Sequence, residues 1–376
     1  MVASNSRKSN LLFFGTYDTR KQPRIQVISD GFSQLGMTVE TLNVPLDFTT
    51  SQTVKAAESP IHGFLFGFRV AKRWGKLAWQ RKNLRTQPNV VLVGHMAHFD
   101  VLLARVLFPK AKVAIDYLIS LHGALVDRRI TGKVKLAVAK SLDRTALWVA
   151  DIVMVDTEEQ LLALSEKAQE KAVAVPVGAT QEWFGREVAD FPRDDKPLSV
   201  IFFGLFTPLQ GAPVIAKAVR KINSGPKPLL FTFVGRGQDY DECRGILDEV
   251  PGVFWIDWLP IDRLLPEVAS NHVCLGIFGT TPKAKNVAPT KGFQGMALGR
   301  ALVTSDSDVQ NRIFKSGALY VPAGDPIALA NTLEALDADR ELLRRQAQEA
   351  RRVAESDFTP TRVIEPLMRK IIESLG

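Results

Sequence analysis

The strongest constraint on the fold is a pattern of strand, glycine turn, helix and strand that occurs twice. Residues 11–44 read LLFFGTYDTRKQPRIQVISDGFSQLGMTVETLNV, and residues 199–222 read SVIFFGLFTPLQGAPVIAKAVRKI. In each stretch an apolar strand ends at a glycine, Gly15 or Gly204, and an amphipathic helix follows. This order begins a parallel α/β unit. Its repetition predicts two domains of similar construction.

Short apolar runs continue both halves of the chain. They are VVLVG, AKVAIDYL, DIVMVDT and KAVAVPVG in the first half, and PLLFTFVG, VFWIDWL, VCLGIFG, ALVTSD and ALYVPAG in the second. Strands of a parallel sheet are covered on both faces, so they are continuously apolar. The polar stretch at 187–197 predicts a linker. We therefore expect one domain over 1–190, a second over 191–358, and a final helix over 359–376 that could pack back on the first domain.

Composition limits the class of protein. A chain of 376 residues is too long for one ordinary core, and its 46% hydrophobic content is that of a globular protein. Cys243 and Cys274 match no metal-binding spacing, which fits a reducing compartment. No apolar run reaches the roughly 18 residues of a membrane span, and the N-terminal run is short for a signal peptide. We expect a cytoplasmic protein.

A loop in the second half has the character of an anion site. Residues 286–299 read NVAPTKGFQGMALG, in which a proline-containing loop leads into a helix of small residues. Lys283, Lys285 and Lys291 surround this helix start, where backbone amides and the helix dipole attract anions. Lysines are also common in solvated loops. Their number beside this helix start nevertheless favours a diphosphate.

Other motifs give weaker indications. The loop VGRGQ lacks the third glycine of a dinucleotide fingerprint, and no P-loop is present. Asp306 and Asp308 could form a metal site, but we expect Asp308 to cap a helix. His95 and His98 have metal-ligand spacing without an obvious third ligand, so helix-start or substrate contacts are favoured. His122 is either a neutral base or a surface histidine.

The chain resembles the glycosyltransferase family 4 enzymes, which have the GT-B fold of two facing Rossmann-like domains with a cleft between them. The resemblance covers most of the chain and is most specific from Gly204 to Asp306 and over 323–330. The family often carries P-x-K-x-x-E before a small-residue helix, a glycine and a strand. Here that motif reads Pro289-Thr-Lys291-Gly-Phe-Gln294, followed by GMALGRALVT.

The chain departs from this family at the charged positions. The two acids that the family separates by seven residues fall on Asn286 and Gln294, and its phosphate-binding Arg and Lys fall on Leu205 and Gln210. An amide can still hydrogen-bond a ribose hydroxyl. The three lysines around the loop and Arg236 could supply the missing positive charge. We expect a divergent branch with relocated phosphate contacts.

The resemblance implies a retaining glycosyltransferase that moves a sugar from a nucleoside diphosphate sugar to a lipid-linked or cell-envelope glycan, without metal or cofactor. Asp116 and His122 are the candidates near the reacting carbon. The expected donor-binding residues are Gly204, Gln210, Gly235, Arg236, Lys283, Lys285, Val287, Lys291 and Gln294. The expected acceptor-side residues are Gly15, Tyr17, Arg24, His95 and His98.

Two other classes of function stay open. A non-catalytic GT-B-like protein would bind the nucleotide-sugar, or a partner, without turnover. A nucleic-acid protein is suggested by charge alone and lacks a recognisable module, so it is disfavoured.

The net charge of +8 lies mostly in the first half, because residues 1–190 hold 25 Lys/Arg against 18 Asp/Glu (25 − 18 = +7). A helix over about 64–85 would place Phe66, Val70, Trp74, Leu77 and Ala78 on one face between basic residues. This composition is typical of an interfacial membrane anchor, although a solvated basic surface over an ordinary packed helix would look similar. The predicted membrane contacts are Arg69, Arg73, Trp74, Lys76 and Arg81.

Overall fold

The computed structural model describes residues 10–18, 23–46, 60–94, 98–118, 120–127, 132–185 and 197–376, without the side chains of 60–66 and 127. The chain divides into two units. Unit 1 comprises Met1–Pro176 and Pro360–Gly376, and unit 2 comprises Val177–Thr359.

The first boundary between the two units, after Pro176, lies ahead of the linker predicted at 187–197. Most of that linker falls outside the described residues. The residues just after 176 pack on unit 2. Trp183 is buried and stacks on Phe203, with the ring centroids 6.3 Å apart, and the Ala179 amide donates to the Phe358 carbonyl. The chain thus joins unit 2 at Val177, 22 residues before the first strand of that unit begins at Ser199 (199 − 177 = 22).

Unit 1 contains a six-stranded parallel sheet in the order β2-β1-β3-β4-β5-β6. Five of the six strands coincide with apolar runs of the first half, and the edge strand β2 lies in the predicted stretch TVETLNV. The strands are β1 (Asn10–Gly15), β2 (Thr38–Asn43), β3 (Val90–Val93), β4 (Lys112–Asp116), β5 (Ile152–Val155) and β6 (Ala172–Ala174).

Helices cover both faces of this sheet. In chain order they are α1 (Arg24–Gln34), α2 (Pro60–Gln80), α3 (Asp100–Leu107), α4 (Leu121–Asp127), α5 (Lys133–Val149), α6 (Glu158–Leu162), α7 (Glu166–Gln169), α15 (Pro360–Val363) and α16 (Glu365–Leu375). One face packs against α2, α3 and α5 through Leu77, Ala104 and Ala146. The other packs against α1, α15 and α16, where Leu367 and Ile371 join the core.

Unit 2 repeats this construction with the strand order β12-β11-β10-β7-β8-β9, again all parallel. The strands are β7 (Ser199–Phe203), β8 (Leu230–Val234), β9 (Val253–Ile256), β10 (Val273–Leu275), β11 (Ala301–Ser305) and β12 (Ala318–Val321). The helices are α8 (Ala212–Asn223), α9 (Tyr240–Ile246), α10 (Ile261–Ala269), α11 (Thr290–Ala297), α12 (Asp308–Phe314), α13 (Pro326–Ala338) and α14 (Arg340–Asp357). All twelve predicted strands are present.

A buried ionic contact joins the carboxyl edge of the first sheet to α1. Arg24, the first residue of that helix, is fully buried and lies 3.3 Å from Asp116 at the end of β4. Its guanidinium also donates to the carbonyls of Val155 and Val175, at 2.9 and 2.8 Å. One side chain therefore links the helix to the ends of three strands.

We expect Arg24→Met to destabilise unit 1 by about 3–5 kcal/mol, because it leaves the Asp116 carboxylate buried without its partner. Replacing both members, as Arg24→Met with Asp116→Leu, should recover much of that loss. Urea unfolding followed by circular dichroism measures both variants. A single variant as stable as the wild type would contradict a structural role for the pair.

Candidate functional site

The carboxyl edge of the second sheet contains the point where the strand order reverses, between β7 and β10. Ligands of open α/β sheets bind at such points. β7 and β8 are each followed by a glycine with positive φ, Gly204 at 134° and Gly235 at 130°. A β-carbon on Gly235 would overlap the Gly204 carbonyl oxygen, and the Gly235 amide donates to the Ile256 carbonyl at 2.8 Å. The ends of β7, β8 and β9 therefore form one tightly packed edge.

Lys291 reaches this edge from the first turn of α11. Its side chain is almost fully buried, and Nζ donates a 2.6 Å hydrogen bond to Gln210 Oε1. Nζ also lies 3.6 Å from the centroid of the Phe202 ring. A β-carbon on Gly204 would lie 3.4 Å from Nζ. Three predicted donor-binding residues, Gly204, Gln210 and Lys291, thus converge on one point.

The amino group of Lys291 has no carboxylate partner among the described residues. Its contacts are an amide oxygen and an aromatic face, which stabilise a cation less than a carboxylate does. Burial lowers the pKa of Lys291 to about 7, and the neighbouring Cys274 opposes this shift without cancelling it. A buried cation without a counter-ion is costly, so an incoming anion would stabilise the charged form. The arrangement is suited to bind an anionic group.

The other predicted residues of this loop surround the same helix start. Gln294 is buried one turn further along α11, and Val287 is half-buried before it. No side chain caps the N-terminus of α11. Lys285 is exposed on the short turn Ala284–Asn286, and Lys283 is half-exposed just ahead of it.

A polar and aromatic surface follows the end of β9, and sequence reasoning missed part of it. Arg236 forms a 2.8 Å ion pair with Asp257 and lies over the Tyr240 ring, 4.5 Å from its centroid. Trp258, the next residue after Asp257, is largely exposed. An exposed tryptophan on the sheet edge that also carries the candidate anion site at Lys291 is a candidate for stacking on a nucleotide base. The sequence indicated this residue, because Trp258 is the second tryptophan of the run WIDWLP, just after an apolar strand.

At the carboxyl edge of the first sheet, Asp100 organises the loops. Its carboxylate accepts hydrogen bonds from the Thr16 amide, at 2.6 Å, from the Thr16 hydroxyl, at 2.8 Å, and from Trp74 Nε1, at 2.7 Å. Tyr17 is buried against Gly94, where a β-carbon would overlap the tyrosine ring. Gly15, with a φ of 144°, begins this turn. These residues fix the shape of the predicted acceptor loops.

Asp143 brings two predicted histidines together. His98 Nε2 lies 3.3 Å from Asp143 Oδ1, and the amides of Leu121 and His122 donate to the same carboxylate at 2.8 and 3.0 Å. The His98 ring meets Tyr117 edge to face. A carboxylate that contacts a histidine can orient it as a base. Asp143 lies on α5, too far along the chain for the sequence pattern to associate it with either histidine. His95 lies outside the described residues.

Three further predictions need correction. The predicted roles of Asp116 in catalysis and of Arg24 on the acceptor side require accessible side chains, but both are fully buried and contact each other. We therefore remove them from the candidate site. Asp308 does not cap α12, because the Ser307 hydroxyl accepts from the Gln310 amide. Within the described ranges, no group of three or more His, Cys, Asp or Glu residues could hold a metal ion.

Residues 216–369, less than half of the chain, match a family model described as glycosyl transferase-like. A comparison with curated protein sequences found no significant match. The family 4 assignment stays a prediction.

Solved structures show the fold more clearly. HepE from Anabaena in complex with UDP-glucose is 13% identical, has a TM-score of 0.63, and aligns over 98% of this chain and 99% of its own. Sucrose-phosphate synthase from Thermosynechococcus elongatus is 14% identical, with a TM-score of 0.67 and coverage of 98% and 100%. A glycosyltransferase from Rickettsia africae is 11% identical, with a TM-score of 0.66 and coverage of 98% and 99%. The chain has the GT-B fold, as predicted.

Lys291 generates a prediction about pH. Its amino group is largely neutral above pH 7 in the free protein, and a bound diphosphate should raise its pKa and draw in a proton. The association constant for UDP should therefore fall between pH 7.5 and 9, by up to about tenfold per pH unit. The terminal phosphate titrates near pH 6 and is already ionised in this range.

Isothermal titration calorimetry in two buffers of different ionisation enthalpy measures both the affinity and the proton uptake. Lys291→Arg is the matched control, because arginine stays charged throughout and should abolish the pH dependence. A UDP affinity that is flat from pH 7.5 to 9 in the wild type would rule out Lys291 as the titrating contact.

Proposed function

We propose that this protein transfers a sugar from a nucleoside diphosphate sugar to an acceptor. The observation that carries the proposal is Lys291, a buried lysine whose amino group contacts an amide and an aromatic ring at the switch point of unit 2. HepE, which shares this fold, has been crystallised in complex with UDP-glucose. The diphosphate of a nucleoside diphosphate sugar would supply the negative charge that the surroundings of Lys291 lack.

The diphosphate is also the leaving group, so the same contacts act in the reaction. As the bond from sugar to diphosphate breaks, negative charge grows on the departing oxygen. A preorganised cation and the uncapped amides of α11 stabilise that charge more than they stabilise the intact donor. Gln210 fixes the direction of the amino group through its 2.6 Å hydrogen bond.

The nucleoside would extend along the carboxyl edge from Gly204 past Gly235 toward Arg236 and Trp258. Neighbouring strands are about 4.8 Å apart, so the distance from the end of β7 to the end of β9 is about 10 Å. That distance suits a nucleoside, which consists of a ribose and a base. Trp258 would offer a stacking face, and the buried Gln294 would accept or donate a hydrogen bond in place of the family's acid.

On the acceptor side we propose His122, which is half-buried and whose backbone amide donates to Asp143, as the residue near the acceptor. The buried His98 contacts the same carboxylate and would position this loop. Retention of the anomeric configuration, independence from metal and cofactor, and a lipid-linked or cell-envelope acceptor are proposed on the family resemblance.

A second function has one observation in its favour. Asn286 and Gln294 stand where the resemblance expects carboxylates. A protein that binds the nucleotide-sugar without turnover would retain Lys291 and Trp258 but lack transferase or hydrolase activity. Thermal shift with a panel of nucleotide-sugars identifies the donor, and release of the nucleoside diphosphate from that donor distinguishes the two functions.

Lys291→Ala should weaken UDP binding at least tenfold, because a hydrogen bond to a charged group contributes about 1.5–3 kcal/mol. Lys285→Ala is the matched control, since Lys285 is exposed on the preceding turn and should change the affinity less. Calorimetry at pH 7 measures both. Equal UDP affinity in the wild type and Lys291→Ala would move the diphosphate site away from α11.

Transfer should survive chelation. Donor turnover measured with EDTA, and again after Mg²⁺ or Mn²⁺ is restored, should stay within about twofold, because a lysine and helix amides supply the charge that a metal supplies elsewhere. Complete loss of turnover that the metal reverses would make Asp306 and Asp308 candidate ligands again.

A further inference from the structure

The charge excess of the chain is concentrated in one region. Residues 59–150 hold 16 Lys/Arg against 4 Asp/Glu (16 − 4 = +12), more than the +8 of the whole chain. Three of these four carboxylates, on Asp100, Asp116 and Asp143, are buried, and the fourth side chain lies outside the described set. Among the side chains that the structure describes here, the outer surface is therefore basic without exposed acids.

Helix α2 packs differently from the predicted membrane anchor. Val70 and Leu77 are buried in the core of unit 1, and Trp74 packs on that core and donates to Asp100. Three residues of the predicted apolar stripe, Val70, Trp74 and Leu77, thus form an ordinary packing face, whereas Ala78 is exposed and the Phe66 side chain lies outside the described set. The opposite face carries Phe68 and Trp79, each more than half exposed. Their spacing of eleven residues places both on one side of the helix.

Basic side chains accompany these two aromatic residues. Lys72 and Lys76 are exposed between them along α2. Lys82 Nζ lies 4.4 Å from the centroid of the Trp79 ring.

Helix α5, like α2, packs one face on the core and exposes apolar and basic residues on the opposite face. Ala139, Asp143 and Ala146 face the core. The outward side carries three apolar residues, each more than half exposed, and three exposed basic residues flank them. The apolar residues are Val134, Val138 and Trp148, and the basic residues are Lys133, Lys140 and Arg144.

The two helices belong to one layer. α2 contacts α3 and α3 contacts α5, and all three pack on the same face of the first sheet. Packed helices lie about 8–10 Å apart, so the outer faces of α2 and α5 are about 20 Å apart. Val106 of α3 is exposed between them. One flat surface could contact both apolar groups at once.

We propose that the outer face of the α2–α3–α5 layer docks on an anionic membrane, with Phe68, Trp79, Val134, Val138 and Trp148 entering the headgroup region. Exposed aliphatic and aromatic side chains within a basic, acid-free surface complement a bilayer, which offers both hydrocarbon and negative charge. Nucleic acid would use the basic residues but leave the valines without a partner, because stacking requires aromatic faces. No described helix is long and apolar enough to span a bilayer.

The first test is flotation of the full chain with vesicles of two compositions, phosphatidylcholine alone and phosphatidylcholine with about 30% phosphatidylglycerol. The anionic lipid supplies the negative surface potential that attracts basic residues. The wild type should float with the anionic vesicles and lose binding at high salt. Lys140→Glu with Arg144→Glu should reduce vesicle binding at least about tenfold. The matched control, Lys217→Glu with Lys227→Glu, reverses two exposed lysines of unit 2 and should bind like the wild type.

The second test reports contact directly. Lipids brominated near the headgroup should quench the tryptophan fluorescence of the wild type. Trp79→Phe with Trp148→Phe should still float but lose most of that quenching, whereas Trp258→Phe should retain it.

Failure of the wild type to float with anionic vesicles, or equal loss of binding in the unit 2 control, would overturn the proposal. Binding to a labelled oligonucleotide without flotation would assign the surface to nucleic acid instead. None of these outcomes depends on sugar transfer, which nucleotide-sugar turnover measures separately.

Discussion

A buried positive charge requires a negative partner, and the two units of this protein meet that requirement differently. In unit 1, Arg24 lies 3.3 Å from Asp116 and donates to two backbone carbonyls. In unit 2, Lys291 contacts Gln210 and the Phe202 ring. An amide in place of a carboxylate leaves a dipole where a full charge would stand. The lysine therefore loses its proton more easily in the free protein, as its lowered pKa indicates, and regains it when a ligand brings a negative charge.

The backbone around Lys291 is arranged for the same purpose. Gly204 and Gly235 lie at the ends of adjacent strands, and their lack of side chains lets the two turns approach each other and the lysine. The helix that carries Lys291 begins without a side-chain cap. The unit 2 edge therefore combines close backbone approach, an uncapped helix start and a lysine, while the corresponding edge of unit 1 is filled by Tyr17, His98 and the Asp100 network.

The sequence predicted the sheets well because a buried parallel strand is a continuous apolar run, whichever residues supply it. It also predicted Gly204, Gln210 and Lys291 as parts of one site, because they follow a recognisable motif. It could not predict which way a polar residue points at a strand end. Asp116 and Arg24 have the composition of a site but face the core, and Asp143 contacts His98 from a helix 45 positions away.

The same limit applies to helix α2. A stripe of apolar residues on an amphipathic helix indicates a buried face, but the sequence does not say whether protein or lipid covers it. The structure assigns the stripe with Trp74 to the protein core and leaves Phe68 and Trp79 outside. Trp258 was overlooked because its loop contains no motif, and only its exposure beside the Arg236–Asp257 pair marks it.

The return of the last seventeen residues to unit 1 has a consequence for synthesis on the ribosome. Unit 2 is continuous in the chain, so it can fold as soon as it has emerged. Unit 1 must wait, because Val363, Leu367 and Ile371 complete the core on one face of its sheet and are translated after all of unit 2. Until then that face of the nascent sheet is covered by α1 without the two C-terminal helices. The unit translated second is therefore the first that can finish folding, and the nascent first unit is the part of the chain that a chaperone would have to protect.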